Sequence, residues 1–578
     1  MAEPMLTNHL RLCHLAAFCG ALLLMIATGA SAKAPGPAKT VVYYNGRVLT
    51  MEGDTPRYAQ AVVVKGTRIA FVGGQKQALA LAGAHAERHD LKGHVMVPGF
   101  IDTWGHFALV AQNTLGVNLA YFGENPPHTK AQLIEKMQKE GRPFNGWLLG
   151  SGYSEAMLSD GAPSLEELDR AFPSTPLLLQ DISTLTGKVN SAGLRALGIT
   201  TETKATAGFI VKDPKTGQLT GDLIGQPFLT AVAKAVGTYP QSVTFDTYRK
   251  AEQMVVQMGY TTCQSYESTP QEMADMRAAV DRGTVKIDLI ALPTFSDVDK
   301  MLKSDPNVRF GVYNHKDHGF KIAGMQVPTD GASQLRLGYF SQPYIDTTGF
   351  PAGWRGFSFY PQATIDKYVR MAYDRNIQLF GYSNGDAGID MMLAAMDKAE
   401  AACGAKGDRR SVIAHSIFVR DDQLARYRKK HLIAAMMPTN GWLYGDVYMQ
   451  TLGAARATRT SPAQKAVAAG VTTVLHCDCP SSGPSVMASL WCAVTRKTLS
   501  GKVLGPKLDL APYQGLLGFT RNAAFMYHEE GLKGTITAGK LADLVVLDKN
   551  PLTVSPDAIK DIAVLETVKS GRTIYRKP

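Results

Sequence analysis

Three histidines and an aspartate, whose side chains can transfer protons, each stand at the end of a predicted strand. His476 and Asp478 are two residues apart after an apolar segment, so a strand places both side chains on the same face. His415 closes a second apolar strand and His106 closes a third. A carboxylate and neighbouring imidazoles can accept and donate protons near neutral pH. These four residues are therefore the candidate acid–base set of the chain.

The elements that must position this set alternate between strand and helix from Pro98 to Met526. One helix, over Pro270 to Arg282, is predicted to start with a capping box in which Thr269 is the N-cap and Glu272 stands at N3. Alternating βα units favour a parallel sheet, and a (β/α)₈ barrel is its natural closed form. An open doubly wound sheet is the alternative, but no glycine-rich dinucleotide fingerprint follows an early strand.

Both ends of the chain have a different, period-two pattern that is typical of antiparallel strands. It runs from about Thr40 to Val97 and returns after Ala542. The sequence therefore predicts a β-sandwich built from both chain ends and packed beside an α/β barrel. The predicted organisation is a signal peptide at 1–32, the first part of the β-sandwich at 33–97, the barrel at 98–526 and the second part of the β-sandwich at 527–578. The stretches 118–165 and 325–362 are predicted to be irregular, forming either a lid with an aromatic-lined pocket or packed insertions.

The first 32 residues have the features of a secretory signal peptide. Arg11 precedes an apolar run, and Ala30-Ser31-Ala32 is a small-X-small cleavage signal. A periplasmic or secreted protein is expected, with an uncleaved membrane anchor as the alternative. No later segment is apolar and long enough to span a bilayer, so no stable membrane span is expected after cleavage.

Composition is globular, with 45% hydrophobic and 19% charged residues among 578. The net charge of +11 favours anionic substrates or an envelope surface, whereas the absence of an arginine-aromatic groove argues against nucleic acid. Five cysteines remain after signal cleavage, without CxxC spacing, which argues against a disulfide framework or structural zinc and leaves one bridge open. They are Cys263, Cys403, Cys477, Cys479 and Cys492. Cys477 and Cys479 flank Asp478 and are expected to be small buried hydrophobes.

Several segments resemble the amidohydrolase superfamily, and specifically the amidohydrolase-3 branch that includes N-substituted formamide deformylase-like proteins. The stretch Pro98-Gly99-Phe100-Ile101-Asp102-Thr103-Trp104-Gly105-His106 is similar to its first metal-binding strand, which ends in His-X-His. The other similar segments are Val189-Asn190-Ser191, Asp330-Gly331, Asn384-Gly385-Asp386-Ala387, His476-Cys477-Asp478 and Gly534 to Asp543. The resemblance implies a small-molecule substrate, a divalent cation at the barrel mouth held by histidines and an aspartate, and is compatible with a homodimer.

Carried over by position, the retained ligands are His106, His415 and Asp478, and Asp478 stands where the family has a residue that is both ligand and general base. The other positions have changed. Trp104 replaces the first histidine, Tyr382 and Asn440 replace two more, and Gln326 replaces a lysine that can bridge two metals; on a looser alignment Leu185 replaces one more histidine. An indole offers no lone pair in the ring plane, so Trp104 cannot serve as a ligand.

The sequence therefore favours a metal-free enzyme that acts by acid–base chemistry on a small organic substrate, for which an aromatic group is one option. Without zinc to lower the pKa of water, isomerisation, elimination or attack on an activated carbonyl suits such a site better than hydrolysis of a plain amide. The predicted catalytic residues are Asp478, His476, His415, His106, Tyr382 and Asn440. The predicted substrate-binding residues are Trp104, Gln326, Asp386 and Trp442. One alternative is a hydrolase of amide C–N bonds with a single zinc held by His106, His415 and Asp478, and another is a non-catalytic binding protein.

Overall fold

A computed structural model describes residues 39–205, 208–404 and 407–578. The predicted signal peptide, residues 1–32, lies outside these ranges. Within them, no helix is long and apolar enough to cross a membrane.

The amino-terminal segment forms a small sheet that is covered on both faces. Alternate residues of its first strand pack into different hydrophobic clusters. Val41 and Tyr43 pack on one face of the sheet, and Val42 packs on the other. Its elements are β1 (Thr40–Tyr44), β2 (Arg47–Leu49), β3 (Tyr58–Ala59), β4 (Ala61–Lys65), β5 (Arg68–Gly73), α1 (Gln75–Ala82), β6 (Glu87–Asp90) and β7 (Val95–Pro98). The sheet has the order β5-β4-β1-β6, while β2, β3 and β7 belong to a second sheet.

The barrel starts after β7 and is soon interrupted by an inserted sheet. The elements are β8 (Phe100–Ile101), α2 (Phe107–Asn113), β9 (Val117–Asn118), α3 (Lys130–Glu140), β10 (Leu148–Tyr153), α4 (Leu165–Ala171), β11 (Leu177–Asp181), β12 (Thr186–Val189), α5 (Ser191–Leu197), β13 (Gly208–Lys212), β14 (Leu219–Gly225), α6 (Gln226–Val236) and α7 (Gln241–Val256). The insertion is a six-stranded sheet with the order β13-β14-β12-β11-β10-β9.

The prediction of an irregular stretch over 118–165 is therefore wrong. The strand β10 lies within it, and its two glycines, Gly150 and Gly152, hide the period-two pattern. A Cβ atom at Gly150 would lie 2.7 Å from a methyl carbon of Leu119, so close packing requires glycine there. The second stretch, 325–362, begins with a strand and is otherwise largely irregular.

The remaining barrel alternates strand and helix as predicted. Its elements are β15 (Tyr260–Tyr266), α8 (Pro270–Asp281), β16 (Asp288–Leu292), α9 (Phe295–Ser304), β17 (Phe320–Ile322), β18 (Met325–Pro328), α10 (Gln362–Asp374), β19 (Leu379–Ser383), α11 (Asp386–Cys403), β20 (Val412–His415), α12 (Asp421–Lys429), β21 (Ile433–Met436), α13 (Thr439–Leu452), α14 (Ala454–Ala457), α15 (Ala463–Ala468), β22 (Thr472–Leu475), α16 (Val486–Thr495), α17 (Pro512–Phe519) and α18 (Arg521–Met526). The capping box of α8 is confirmed, with Thr269 accepting from the Glu272 amide.

The barrel strands form two parallel sheets, in the orders β17-β16-β15-β8 and β18-β19-β20-β21-β22. A parallel bridge between Thr294 and Gln326 links the two sheets beside β18. On the other side the Thr103 hydroxyl donates to the Leu475 carbonyl oxygen at 2.9 Å, linking the end of β8 to β22. All these strands run in the same direction, so their carboxyl ends meet at one mouth.

The two ends of the chain meet in one six-stranded sheet. The last strands are β23 (Leu544–Leu547), β24 (Val564–Lys569) and β25 (Arg572–Arg576). The sheet order is β25-β24-β23-β7-β2-β3, in which β23 pairs antiparallel with β7. The carboxyl-terminal strands thus extend a sheet that the amino-terminal strands begin.

Six buried charged side chains lie where the amino ends of β16 and β17 face the carboxyl-terminal segment. Three are basic and three acidic, and each has a side-chain exposure of 4% or less: Asp288, Lys321, Glu529, Lys533, Asp543 and Lys569. Lys533 lies at the centre, 2.5 Å from Asp288 and 3.1 Å from Glu529. The balanced charges compensate one another, as buried ions require.

The five cysteines of the described chain are all free thiols. Cys477 and Cys479 are buried as expected, with exposures of 1% and 8%. The Cys477 sulfur lies 3.3 Å from the Tyr260 hydroxyl in the core between the strands and the surrounding helices. Burial raises the pKa of the Cys477 thiol to about 12, so this side chain is packed and unreactive at neutral pH.

Candidate active site

A cavity of about 150 Å³ opens at the carboxyl ends of the barrel strands. Its aromatic walls are Trp104, Tyr266, Phe359, Tyr382 and Tyr444, and its ionisable walls include His106, Glu267, His415 and Asp478. The irregular part of 325–362 contributes Phe359 to this wall, which fits the expected aromatic-lined pocket. No lysine or arginine of the described residues lines the cavity. The pocket is therefore narrow, aromatic and without fixed cations.

Trp104 fills the floor of the cavity. Its side chain has no solvent exposure, and its ring centre lies 4.5 Å from that of Tyr266 and 6.0 Å from that of Tyr382. The His415 ring stands edge-on to it at 5.9 Å. Its indole Nε1 has no hydrogen-bond partner among the described residues. A buried donor without a partner is costly, so this N–H is available to a water molecule or a substrate oxygen.

Asp478 and His106 form a close pair at the cavity wall. The His106 Nε2 atom lies 3.3 Å from Asp478 Oδ1, close enough for an ion pair although the angle does not make a hydrogen bond. Burial alone lowers the pKa of His106, but Asp478, Glu267 and Asp102 together raise it above its usual value. Burial raises the pKa of Asp478, yet its contact with His106 outweighs this and lowers it. The pair therefore favours a carboxylate beside a protonated imidazole over two neutral groups.

His415 and His476 lie beside this pair as neutral imidazoles. Their ring centres are 5.0 Å apart, and the exposures of the two residues are 4% and 0%. Burial lowers the pKa of His415 to about 4 and holds the pKa of His476 well below its usual value. Because both rings are neutral near pH 7, they contribute little to the low pKa of Asp478. His415 Nδ1 and both ring nitrogens of His476 lack partners within the described chain.

Glu267 is a site residue that the sequence motifs do not reveal. It follows β15, lines the cavity and remains accessible to the solvent there. Desolvation in the cavity wall raises the pKa of the Glu267 carboxyl group, although the nearby His106 opposes this shift. Its φ of 53° lies in the left-handed region, which bulky residues rarely adopt. The only sequence signal is its place directly after a strand.

Backbone strain concentrates around the cavity. Four of its lining residues have a left-handed φ, namely Thr184 (63°), Glu267 (53°), His415 (64°) and Asp478 (56°). Such conformations each cost on the order of 1–3 kcal/mol and collect where the surrounding structure holds a functional geometry. The strain therefore marks the same cavity as the acid–base residues do.

The other predicted site residues divide between the cavity and its surroundings. Tyr382, Asn440 and Leu185 line it, and the amide of Asn440 is held by the Tyr448 hydroxyl at 3.3 Å. Gln326 is fully buried beside the cavity and donates to the Tyr266 hydroxyl at 2.8 Å. Burial keeps the pKa of Tyr382 well above its usual value, so its hydroxyl remains a donor.

Asp386 and Trp442, two further predicted substrate-binding residues, do not line the cavity either. Asp386 starts α11 and accepts hydrogen bonds from Ser341 and Arg420, the latter at 3.1 Å. Trp442 packs against Tyr121 and Trp491, with ring centres at 5.4 and 6.1 Å. Both residues have polar or aromatic partners elsewhere in the protein, so the structure gives them a packing role.

The donors present do not fit a metal ion as they are arranged. Imidazoles and a carboxylate are suitable zinc ligands, and several of their atoms lack partners. However, among the described residues no three His, Cys, Asp or Glu side chains converge on a common point. By the family resemblance, Trp104 and Tyr382 stand at the positions of two further imidazoles. A bound ion would require these side chains to move.

Comparison with known proteins identifies the family and agrees with the fold. The amidohydrolase family matches residues 87–575. An N-substituted formamide deformylase from Arthrobacter pascens is 25% identical over 540 residues, covering 90% of this chain and 95% of the relative. A putative amidohydrolase, YtcJ, from Bacillus subtilis (strain 168) is 24% identical over 567 residues, covering 93% and 99%.

Among solved structures, an uncharacterized metal-dependent hydrolase from Pyrococcus horikoshii has a similar fold. Its TM-score is 0.70 at 19% identity, covering 90% of this chain and 99% of that one. A protein with the same description from Pyrococcus furiosus has a TM-score of 0.69 at 19% identity, covering 89% and 100%. At this level of identity the similarity concerns the fold alone.

Proposed function

We propose that this chain cleaves a compact, uncharged amide by acid–base catalysis without a bound metal ion. The chain belongs to the amidohydrolase family and is a hydrolase of non-peptide C–N bonds. The observation that carries this proposal is the Asp478–His106 pair beside the fully buried Trp104. The pair supplies a base and an acid 3.3 Å apart, and the indole stands where a metal-binding imidazole would be required.

In the proposed reaction Asp478 orients a water molecule and accepts its proton as the water oxygen attacks the carbonyl carbon. The hydroxyl of Tyr382 and the amide of Asn440 donate to the carbonyl oxygen as it becomes negative. His106 then donates a proton to the leaving nitrogen as the C–N bond breaks. The proton held by Asp478 passes to His106 across their contact, which restores both groups and releases a carboxylic acid and an amine.

The low pKa of Asp478 limits which substrates can react. A carboxylate with a lowered pKa is a weak base, and the protein residues alone do not polarise the carbonyl as strongly as a metal ion would. The substrate carbonyl must therefore be reactive and sterically open. N-substituted formamides, on which the Arthrobacter pascens relative is named to act, meet both conditions. A formyl group also fits a cavity of about 150 Å³, with the nitrogen substituent against Phe359 and Tyr444.

The cavity should select against anionic substrates. Glu267 and Asp478 line it and no described lysine or arginine does, so a substrate carboxylate meets two carboxylates that are opposed only by the imidazole of His106. We expect formanilide to release formate, and an analogue with a carboxylate on its ring to react with a kcat/KM at least about tenfold lower. Formate release from both compounds by the purified full chain measures this. A preference for the carboxylate analogue, or no turnover of any uncharged amide, contradicts the proposal.

Export is a second part of the proposal and is supported only by residues 1–32. The basic residue before an apolar run and the Ala30-Ser31-Ala32 signal support cleavage after Ala32. The natively produced protein should then begin near Lys33.

A further inference from the structure

A second and larger cavity lies at the opposite end of the barrel strands. Its volume is about 1230 Å³, and its wall includes Ser411, Leu432 and Thr472, which lie at the amino ends of β20, β21 and β22. The acid–base residues lie at the carboxyl ends of the same strands. The two cavities are therefore separate sites.

Among its lining side chains alone, this second cavity has an excess of three positive charges, and two carboxylates outside the lining, Glu530 and Asp397, also pair with Arg410 and Lys430. Five cationic and two acidic side chains line it: Arg409, Arg410, Arg428, Lys429, Lys430, Glu400 and Asp408. Both carboxylates are already engaged. Asp408 lies 2.7 Å from the Arg410 guanidinium, and Glu400 lies 2.5 Å from the Lys430 ammonium. The other three cations make no ion pair with any described residue.

Two buried donors on the wall also lack acceptors. The Ser411 side chain is only 3% exposed, and neither its hydroxyl nor the Arg409 Nε has a hydrogen-bond partner within the described residues. The Arg409 guanidinium is held in place by the Tyr373 ring, 4.3 Å away, and by the Tyr373 carbonyl oxygen at 3.1 Å. The Tyr373 hydroxyl is close to Ser411 but not in hydrogen-bonding geometry. The wall thus presents positioned donors that lack an acceptor.

We propose that this cavity binds a multiply charged oxyanion, either a phosphate-bearing molecule or a polycarboxylate. Guanidinium groups donate in a fork that matches both kinds of anion, and a hydroxyl adds a neutral donor. The active-site cavity is lined by no described lysine or arginine, so we expect the oxyanion at this end of the barrel and not in the active site. The site is independent of the proposed hydrolysis.

Calorimetric titration of the full chain with inorganic pyrophosphate, and separately with citrate, tests this site at low ionic strength. The exposed pair Arg428→Gln/Lys429→Gln should weaken binding about tenfold or more, since each change removes a charge-assisted hydrogen bond. The pair Lys76→Gln/Arg88→Gln removes the same charge from α1 and β6 and should change the affinity less than about twofold. Ser411→Ala, which keeps the net charge, should weaken binding by a few-fold.

The two titrants distinguish the two classes of anion that the cavity could bind. Tighter binding of pyrophosphate assigns the cavity to phosphate-bearing molecules, and tighter binding of citrate assigns it to polycarboxylates. The proposal is overturned if neither ion binds with a Kd below about 1 mM. It is equally overturned if the Lys76/Arg88 pair weakens binding as much as the Arg428/Lys429 pair, because binding would then follow net charge alone.

Discussion

Replacing Asp478 with asparagine should reduce turnover by roughly 10²–10⁴-fold while the folded structure is retained. The amide keeps the shape of the side chain but can neither accept a proton from water nor hold His106 in its charged form. Since Asp478 is the main cause of the raised pKa of His106, the variant loses both the base and the protonated acid. Initial rates of formate release at saturating substrate, together with the melting temperature, measure the effect.

Asp386→Asn is the matched control for this prediction. It is also a carboxylate-to-amide change in a segment that resembles the family, but Asp386 faces Ser341 and Arg420 outside the cavity. Its turnover should stay within about threefold of the parent, as is usual for changes away from the reacting groups. If Asp478→Asn keeps turnover within a few-fold, or Asp386→Asn loses as much with an unchanged melting temperature, the catalytic site is misplaced.

Replacing Lys533 with methionine should lower the free energy of unfolding by about 3–5 kcal/mol, the usual cost of removing one partner from a buried ion pair. The change leaves Asp288 and Glu529 buried with one cation fewer nearby. Methionine fills most of the volume of the lysine side chain, so the lost stability measures the removal of the charge. Denaturant unfolding of the parent and variant measures it, with the exposed Lys303→Met expected to change stability by less than about 0.5 kcal/mol.

The pH dependence of this loss identifies its cause. Burial raises the pKa of Asp288, but Lys533 and Lys569 outweigh burial, so the pKa in the folded state is lowered. The ionised carboxylate therefore stabilises the folded state at pH values above the pKa of the unfolded chain. This stabilisation is lost as the pH falls through the pKa of the folded state. Without Lys533 the folded-state pKa values of Asp288 and Glu529 rise. The stability difference between parent and variant should therefore shrink between pH 7 and pH 5. A pH-independent difference would assign the loss to packing instead.

The barrel and the shared sheet could be predicted from local patterns, because period-two segments and capping residues act within a few residues of the chain. The inserted sheet at β9–β14 could not, since its short strands are interrupted by glycines such as Gly150. The buried charge network was equally hidden, as Asp288 and Lys533 are 245 residues apart. Neither residue has a sequence neighbour that would indicate its partner.

Within the site, the strand-end residues His106, His415 and Asp478 could be placed because parallel strands end at one mouth. Glu267 was missed because only the left-handed turn after β15 directs it into the cavity. Asp386 belongs to a segment that resembles the family and was predicted to bind substrate, but the helix α11 begins there and Arg420, 34 residues later, binds its carboxylate. Local sequence shows where a strand ends, but not which way the following side chain turns.

Elemental analysis of the natively purified protein after dialysis tests the metal-free site most directly. By the family resemblance Trp104 and Tyr382 replace two imidazoles, and among the described residues no group of three His, Cys, Asp or Glu side chains is arranged to hold a metal ion. Zinc, manganese and iron should each be well below one equivalent, and a chelator should leave formate release unchanged. The contradicting result is a near-stoichiometric metal in the parent that is absent from both His106→Ala and Asp478→Ala, with turnover that the chelator abolishes.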